Sequence, residues 1–402
     1  MFEALKKSQK NKRGNSRGSL IVPITRQPRQ QLGEKFTLPC VLSIAGSDSS
    51  GGAGIQADIK TIQALGLFSE TAITAITAQN TTGVRAVQNV SPEIIEAQID
   101  AVFEDIPPQA VKIGMVSVPE IVQAIARALI RNNAKNIVVD PVMVATSGSA
   151  LAKDDAVQAM REHLFPLASV ITPNLTEAEV LAGFPIKSAE DAVRAAHVIQ
   201  DECKNSCADI KEKTQKSVNE NIGKNNNTCA VLIKGGHGLQ GPERATSHSK
   251  ESACKNSLSG VSNARVRNPA TSRPTCDNVL ATKNTQLEAP ANINHACDDL
   301  LFTADGTEAW LYGMRINNPN THGTGCTLSS AIASYLALGY DIPQAVGAAK
   351  DYLTGAIGAQ LNMGTASGPL DHFWQFRELN RRSVRSWSSS ICKQAGQACN
   401  AN

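Results

Sequence analysis

The stretch Val41-Leu42-Ser43-Ile44-Ala45-Gly46-Ser47-Asp48-Ser49-Ser50-Gly51-Gly52-Ala53-Gly54 joins a short apolar segment to a loop rich in glycine and serine. The apolar part is typical of a strand that is buried in a sheet. Residues 55–65 follow with apolar side chains at helical spacing: Ile55, Ile59, Ile62 and Leu65. A strand, a glycine loop and a helix in this order predict the opening of an α/β unit.

The same alternation continues along the chain. We predict further strands at residues 71–78, 110–115, 136–140, 169–172 and 229–234, with helices at 92–103, 119–131, 154–164, 176–182 and 189 to about 202. A hairpin is predicted at 300–304 and 310–316, followed by helices at 327–338 and 343–361. Strands that alternate with helices need parallel crossovers, so the pattern predicts an α/β fold with a doubly wound, mostly parallel sheet and helices on both faces.

Composition separates one folded domain from several polar segments. We expect a disordered basic tail at 1–38, a single domain at 39–375 and a polar C-terminal tail at 376–402. Inside the domain, residues of about 204–228 and 238–297 are rich in Ser, Asn, Lys and Thr, and we predict disordered insertions because they hold too little apolar surface to offset their ordering entropy. A transit peptide or a nucleic-acid-binding arm is the alternative for the basic tail.

The bulk composition excludes several classes of protein. A chain of 402 residues that is 42% hydrophobic and 19% charged suits a soluble globular protein. Its net charge of +3 is too small to indicate nucleic-acid or membrane-surface binding, and no apolar run approaches the ~20 residues of a membrane span. The ten cysteines include no C-x-x-C pair, and no secretory signal is visible, so we expect a reducing, cytoplasmic location.

Polar or glycine-rich residues follow six of the predicted strands. Ligands of open α/β sheets bind outside the carboxyl ends of the strands, so these segments should converge on one crevice, although each alone could be plain turn chemistry. The segments are Gly46-Ser47-Asp48, Gln79-Asn80, Gly114-Met115, Asp140-Pro141-Val142-Met143, Pro173-Asn174 and Lys234-Gly235-Gly236.

A second glycine-rich segment, Thr321-His322-Gly323-Thr324-Gly325-Cys326, precedes an apolar helix. Glycines allow successive amides to turn toward one point, and the helix dipole adds positive potential, so the segment predicts an anion hole with Cys326 at its rim. An ordinary helix N-terminus is the structural alternative. A thiol in this setting should have a lowered pKa, which favours the thiolate.

Four further residues indicate phosphoryl transfer. Asn174 and Glu177 can form a helix cap, but Glu177 and Asp140 can also hold Mg²⁺ through water. Lys234 could approach nucleotide phosphates, and the anion hole would hold the transferring phosphoryl group. The chain has no G-x-x-x-x-G-K-[ST] motif, which excludes a P-loop kinase.

At residues 44–58, 77–81, 111–115, 140–143 and 320–330, the chain closely resembles the hydroxymethylpyrimidine/phosphomethylpyrimidine kinase family of thiamine biosynthesis, in the ribokinase-like superfamily. The resemblance spans about 41–373 without the two predicted insertions. It implies a ribokinase-like fold and an ATP- and Mg²⁺-dependent phosphorylation of 4-amino-5-hydroxymethyl-2-methylpyrimidine to its monophosphate and then to the diphosphate.

The resemblance also implies roles for individual residues. Cys326 stands where sugar kinases of the superfamily carry an aspartate base, and Gly323, Thr324 and Gly325 complete the catalytic anion hole. His322 is either a residue of the pocket rim or a structural one. The remaining implied roles are pyrimidine binding by Gln79, Gly46, Asp48, Met115 and Val142, nucleotide binding by Asn174, Lys234 and Gly235, and Mg²⁺ binding by Glu177 and Asp140.

Two other functions stay open. A pyridoxal kinase of the same fold would take a hydroxymethyl heteroaromatic substrate of similar size. A non-catalytic ligand sensor, or an interaction protein that uses the basic tail and the long insertion, is the alternative from another class. We expect small-molecule partners and no nucleic acid or membrane, with a homodimer as a further expectation.

Overall fold

The structure is a computed structural model that describes residues 37–143, 154–213, 229–236, 239, 241 and 297–377. The chain divides into the units Met1–Thr37 and Leu38–Asn402, and all elements given below belong to the second. The strands found in the described residues are β1 (Cys40–Asp48), β2 (Phe68–Asn80), β3 (Gly83–Asn89), β4 (Ala110–Ile113), β5 (Ile137–Val139), β6 (Val170–Ile171), β7 (Ala230–Ile233), β8 (Asp299–Phe302) and β9 (Glu308–Leu311).

These strands form one sheet in the order β3-β2-β1-β4-β5-β6-β7-β8-β9. The six strands from β2 to β7 in this order pair in parallel, and β3, β8 and β9 add antiparallel strands at the two edges. The strand order reverses at β1, which lies between β2 and β4. This is the switch point at which doubly wound sheets open a crevice for ligands.

Helices cover both faces of the sheet. Their bounds are α1 (Gly54–Ala64), α2 (Pro92–Asp105), α3 (Pro119–Arg131), α4 (Asp154–His163), α5 (Leu175–Ala182), α6 (Ala189–Lys213), α7 (Thr324–Ala337) and α8 (Ile342–Gly358). One apolar core packs α2 to α6 against side chains such as Ile44 and Ile113, and a second packs α1, α7 and α8 against side chains such as Val41 and Val138. The predicted mostly parallel α/β sheet with helices on both faces is confirmed.

The described elements differ from the predicted ones mainly in one unpredicted strand and in the bounds of several elements, including α7, which begins at Thr324 rather than at 327. The strand β3 was not predicted, since its residues are mostly exposed and carry no clear apolar alternation. Helix α6 continues to Lys213 rather than ending near Glu202, because Cys203 is buried against the core and neither Gly nor Pro interrupts residues 203–213. Residues 204–213 are therefore helical, and the prediction of a disordered insertion from about residue 204 was wrong over this part. The hairpin strands β8 and β9 are shorter than predicted.

The polar segments predicted from composition fall largely outside the described residues. These are residues 1–36, 214–228, 242–296 and 378–402, together with 237, 238 and 240. Within the ranges that the structure describes, no helix is both long and apolar enough to cross a lipid bilayer.

Candidate active site

A cavity lies at the carboxyl ends of the parallel strands, in front of the first turn of α7. Every predicted site residue except Gly235 lines it, so the crevice expected from the strand ends is present. These lining residues are Gly46, Asp48, Gln79, Met115, Asp140, Val142, Asn174, Glu177, Lys234, Gly323, Thr324, Gly325 and Cys326. His322, Thr321 and Thr77 line the same cavity.

Gly235 is placed differently from the sequence expectation. Its N–H donates to Oδ1 of Asp299 at 2.9 Å. A Cβ at this position would lie 1.7 Å from the carbonyl oxygen of Asp298, so glycine is required for β7 to pass the start of β8. Gly235 therefore serves the packing of two strands and is not among the residues that line the cavity.

Asp48 at the end of β1 organises the first glycine loop. Its carboxylate accepts hydrogen bonds from the backbone N–H of Ser50 at 2.8 Å, of Gly52 at 3.2 Å and of Ala53 at 2.8 Å. Burial alone would raise the pKa of Asp48, but the hydrogen bonds from His322, Ser50 and Ala53 lower it to about 2. The carboxylate is thus charged and saturated by the protein, so its main observed task is to shape the loop.

His322 and Gln79 meet at one end of the cavity. His322 is buried, and its Nε2 atom lies 2.8 Å from Oδ2 of Asp48 and 3.4 Å from the amide nitrogen of Gln79. The backbone of Gln79 is fixed by Ser49, whose hydroxyl donates to the Gln79 carbonyl at 2.8 Å and accepts from the Gln79 N–H at 2.9 Å. His322 therefore both lines the cavity and supports the loop, so its two predicted roles coincide.

The first turn of α7 presents amides to the cavity. The Thr324 N–H donates to the Thr321 carbonyl at 3.2 Å. The amides of Gly325 and Cys326 have no acceptor among the described residues, as expected for the first turn of a helix, where the dipole is also positive. A Cβ at Gly325 would lie 3.3 Å from Oδ2 of Asp140 and 3.5 Å from Nζ of Lys234. The predicted anion hole therefore lies directly beside a charged pair.

That pair joins the ends of β5 and β7. Lys234 Nζ donates to Oδ1 of Asp140 at 2.8 Å, and the Thr172 hydroxyl donates to the same oxygen at 3.0 Å. Burial would raise the pKa of Asp140, but the charges of Lys234 and Lys112 outweigh it and lower the pKa. Asp140 is consequently an anion at neutral pH, and Lys234 brings a cation to the cavity wall.

Asn174 and Glu177 form a complete capping box at the start of α5. The Glu177 N–H donates to Oδ1 of Asn174, and the Asn174 N–H donates to Oε2 of Glu177, both at 2.8 Å. Burial raises the pKa of Glu177, although the charge of Lys234 opposes the rise. Both residues also line the cavity, so the helix-cap role and a ligand-binding role are compatible.

The acidic groups of the cavity suit one kind of metal ion. No cluster of three or more His, Cys, Asp or Glu side chains that could hold a metal occurs in the ranges the structure describes. Three carboxylates line the cavity, and because Asp48 is occupied by the loop amides and His322, Asp140 and Glu177 are the two candidates for a metal. This donor set fits Mg²⁺, which keeps several water ligands and is bound by one or two carboxylates together with substrate phosphates.

The pKa of the Cys326 thiol differs from the one expected from the sequence. The backbone N–H of Gly54 and the charge of Lys112 lower the pKa of this thiol. Packing of the protein around the thiol is the larger effect, however, and with the charges of Asp58 and Asp140 it raises the pKa to about 11. The predicted lowering was wrong because the glycine pattern carries no information on burial or on neighbouring acids.

Two residues near Cys326 were missed as site candidates. Lys112 on β4 and Asp58 on α1 form a fully buried ion pair, with Nζ at 2.8 Å from Oδ2 of Asp58. The sequence nevertheless indicates that Lys112 and Asp58 are buried and need partners. A lysine in the strand Ala110-Val111-Lys112-Ile113 and an aspartate on the apolar face of α1 each need a buried partner.

The segment 368–372 contacts the residues at the start of α7 and so supports the cavity wall. The His322 N–H donates to the Gly368 carbonyl at 3.1 Å, and the Gly368 N–H donates to Oδ1 of Asn320 at 2.9 Å. Nε2 of His372 lies 3.0 Å from the Thr327 hydroxyl in α7, and burial lowers the pKa of His372 to about 4. The imidazole of His372 is therefore neutral at neutral pH, and it contacts α7 without placing a positive charge beside this helix.

Comparisons with known proteins identify the family of the chain. A family model described as "Phosphomethylpyrimidine kinase" matches residues 48–211 and 255–371. A hydroxymethylpyrimidine/phosphomethylpyrimidine kinase of Rhizobium meliloti (strain 1021) is 43% identical over 335 residues, which cover 83% of this chain and 96% of the relative.

Two solved structures share the fold and part of the sequence. The phosphomethylpyrimidine kinase of Clostridium difficile 630 is 38% identical with a TM-score of 0.53, over 79% of this chain and 99% of its own. The pyridoxal kinase of Staphylococcus aureus in complex with AMP-PCP and pyridoxal is 28% identical with a TM-score of 0.59, over 85% of this chain and 95% of its own.

Proposed function

The chain belongs to the phosphomethylpyrimidine kinase family and is a kinase, and we propose that it transfers the γ-phosphate of ATP, with Mg²⁺, to 4-amino-5-hydroxymethyl-2-methylpyrimidine. The resulting monophosphate is then phosphorylated again to the diphosphate that is used in thiamine diphosphate biosynthesis. The nucleotide in the related Staphylococcus aureus structure, AMP-PCP, is a non-hydrolysable analogue of ATP, which supports ATP as the phosphate donor.

One observation carries the proposal. A single cavity combines an amide side chain, Gln79, with the amides of the α7 N-terminus and with the Lys234–Asp140 pair. The first can recognise a polar heterocycle, and the others are the elements that bind and stabilise a phosphoryl group. Their arrangement in one cavity is what a small-molecule kinase needs.

The pyrimidine is bound at the Gln79 end. An amide offers a donor and an acceptor, which match the amino group and the neighbouring ring nitrogen of an aminopyrimidine. Met115 and Val142 supply apolar walls, and Met115 Sδ lies only 3.3 Å from where a Cβ on Gly46 would be. Gly46 therefore keeps this end of the cavity wide enough for a flat ring.

The phosphates are bound at the α7 end. The amides of Gly325 and Cys326 hold the transferring group, Lys234 offsets phosphate charge, and Asn174 contributes its side-chain amide to the nucleotide side. When bound, Mg²⁺ neutralises charge on the phosphate oxygens. Glu177 and Asp140 would hold it, largely through water.

We assign the proton transfer to Cys326. Its thiol is mostly protonated near neutral pH in the free site, so only the small thiolate fraction can accept the proton of the substrate hydroxyl. Phosphoryl transfer passes through a loose transition state in which the attacking hydroxyl acquires little charge, so a sparsely populated thiolate suffices and positioning matters more. The amides around Cys326 accordingly contribute the larger share of the rate enhancement.

A product assay tests the proposal directly. Purified protein is incubated with ATP, Mg²⁺ and the pyrimidine alcohol, and mass spectrometry scores the monophosphate and the diphosphate. We expect both products. If neither product forms, the proposal is contradicted. Pyridoxal is assayed in parallel because a pyridoxal kinase is among the structural relatives; a higher kcat/KM for pyridoxal would reverse the substrate assignment.

Two further proposals concern the setting of the enzyme. A cytoplasmic location fits the free thiols of Cys40, Cys203, Cys229, Cys297 and Cys326. A homodimer is also proposed, and light scattering of the purified protein tests it.

A further inference from the structure

A buried ion pair lies on the face of the sheet that carries α1 and α7. Lys112 pairs with Ser43 across β4 and β1, so both side chains point to this face. Lys112 Nζ is 3.0 and 2.8 Å from the two carboxylate oxygens of Asp58. The hydroxyls of Ser43 and Ser330 donate to the same carboxylate at 2.5 and 2.6 Å. Both charged side chains are 0% exposed.

Stability alone does not explain this pair. Removing two charges from water costs several kcal/mol per ion, and apolar side chains of similar volume often stabilise a core as well or better. The other residues of β4, Ala110, Val111 and Ile113, are apolar and fully buried, so Lys112 is the one charged residue of this strand. An ion pair at such a position therefore points to a role beyond packing.

The position of Lys112 supplies that role. Its Nζ atom lies 2.7 Å from the place of a Cβ on Gly114, which directly precedes Met115 in the cavity wall. The charge of Lys112 acts on two cavity residues, lowering the pKa of Cys326 and of Asp140. Its effect on Cys326 exceeds the opposite effect of Asp58. Ser330, one helical turn after Cys326 in α7, donates to Asp58, so the pair lies against the first turns of this helix.

Lys112 does not compete with Lys234 for the ligand. Lys234 lines the cavity and Lys112 does not. The charged groups that act on Cys326 are Lys112, Asp58, Asp140 and Lys234, and among them the Lys112–Asp58 pair is the one with no access to the cavity. Ser330 in α7 also donates a hydrogen bond to Asp58. Asp58 therefore contacts both the charge of Lys112 and the helix that presents the amides.

We propose that Lys112, held by Asp58, is a positioning residue that fixes a positive charge behind Cys326 and the α7 amides and thereby favours the negative charge that gathers there during phosphoryl transfer. The proposal rests on the proposed function, because it concerns the same reaction. It assigns to a lysine that contacts no substrate a share of the electrostatic stabilisation of the transition state.

The test removes the charges without leaving one unpaired. The double variant Lys112→Met/Asp58→Asn keeps similar volumes. The introduced carboxamide accepts a hydrogen bond from one of the Ser43 and Ser330 hydroxyls through its oxygen and donates to the other through its NH2 group. Ser43→Ala is the matched control, since it removes one hydrogen bond of the same buried network and leaves both charges. Thermal melts establish that each variant is folded before it is assayed.

Two measurements decide the outcome. The first is the rate at which iodoacetamide alkylates Cys326 between pH 7 and pH 9.5. Mass spectrometry of the peptide that contains Cys326 follows the reaction, and this measurement requires no substrate. We expect the rate for the double variant to be lower by about threefold or more at each pH, because fewer thiols are ionised. The second is turnover, where we expect kcat to fall about tenfold or more with KM for the pyrimidine changed less than about threefold.

Ser43→Ala should match the wild type in both measurements. If the folded double variant keeps either the wild-type alkylation rate or the wild-type kcat, the proposal is overturned and the pair is structural. If the wild type makes no phosphorylated pyrimidine, the proposed function fails instead. Turnover is then measured with pyridoxal, and the same two criteria apply.

Discussion

Nε2 of His322 lies 2.8 Å from Oδ2 of Asp48, and this contact joins two glycine-rich segments that stand 274 residues apart in the chain. Asp48 shapes the loop after β1, and His322 immediately precedes the α7 N-terminus. The pair therefore sets the distance between the Gln79 end of the cavity and the anion hole. Both side chains of this contact, His322 and Asp48, are almost completely buried.

Asp48→Asn should weaken this junction in a pH-dependent way. The pKa of Asp48 is lowered from 3.8 to about 2, so its carboxylate contributes stability that is fully present above pH 3.8 and is lost as pH falls toward 2. We expect the variant to be less stable at pH 7 by about 1–3 kcal/mol and to lose less stability between pH 4 and pH 2. Urea unfolding at several pH values measures both, and parallel pH curves would contradict the assignment.

Gly323→Ala should be far more damaging than another glycine change in the same conformation. Gly323 has φ of 84°, and a Cβ there would lie 1.9 Å from the Gly52 carbonyl oxygen. Gly339 has φ of 88° with open space around it, so Gly339→Ala is the control and should cost about 1–2 kcal/mol.

We expect Gly323→Ala to cost about 2 kcal/mol more than that control, from the clash alone, and to lose most kinase activity. Urea unfolding and turnover measure the two effects. Equal costs for the two alanines would show that the Gly52–Gly323 approach is not tight.

Gln79→Ala should separate the two substrates. Loss of the amide leaves polar atoms of the pyrimidine unpaired, so we expect its KM to rise about tenfold or more while KM for ATP changes little. Gln88→Ala is the matched control, because Gln88 is exposed on the neighbouring strand β3 and does not line the cavity. A larger effect on ATP would remove Gln79 from the pyrimidine end.

Glu177→Gln should raise the Mg²⁺ concentration needed for half-maximal activity by about tenfold, since a neutral amide binds Mg²⁺ and its water ligands less well than a carboxylate. The helix cap should survive because the amide oxygen can still accept from the Asn174 N–H. Glu179→Gln makes the same change on the same helix, where the side chain accepts from the Ile186 N–H and does not line the cavity. Equal Mg²⁺ requirements for the two variants would exclude Glu177 as a metal-binding group.

Cys326→Ala should lose most activity while the protein stays folded. Because the pKa of the thiol is raised to about 11, the thiolate fraction grows throughout the range from neutral pH upward. We expect wild-type kcat to rise between pH 7 and pH 9 and the residual kcat of the variant to lose this dependence. Near-normal turnover by Cys326→Ala would show that the amides alone carry the step.

The fold could be predicted largely from local patterns. Buried strands such as β5 are short apolar runs, and the helices carry the 3.6-residue period, so their alternation indicates a parallel sheet without any tertiary information. Strand β3 escaped this reasoning because an exposed edge strand has no buried face to impose a pattern. The length of α6 escaped it because a helix can continue with polar residues as long as no breaker intervenes.

The sequence by itself determined most of the residues that line the cavity, because the carboxyl ends of parallel strands must meet at one edge of the sheet whatever the helices do. Only the tertiary structure decided what surrounds each of them. Whether Cys326 is acidic, and whether Gly235 faces a ligand or a strand, depends on atoms from distant segments. The Lys112–Asp58 pair depends on such contacts as well, because electrostatic energy and close packing vary over a few ångströms and adjacency in the chain does not encode those distances.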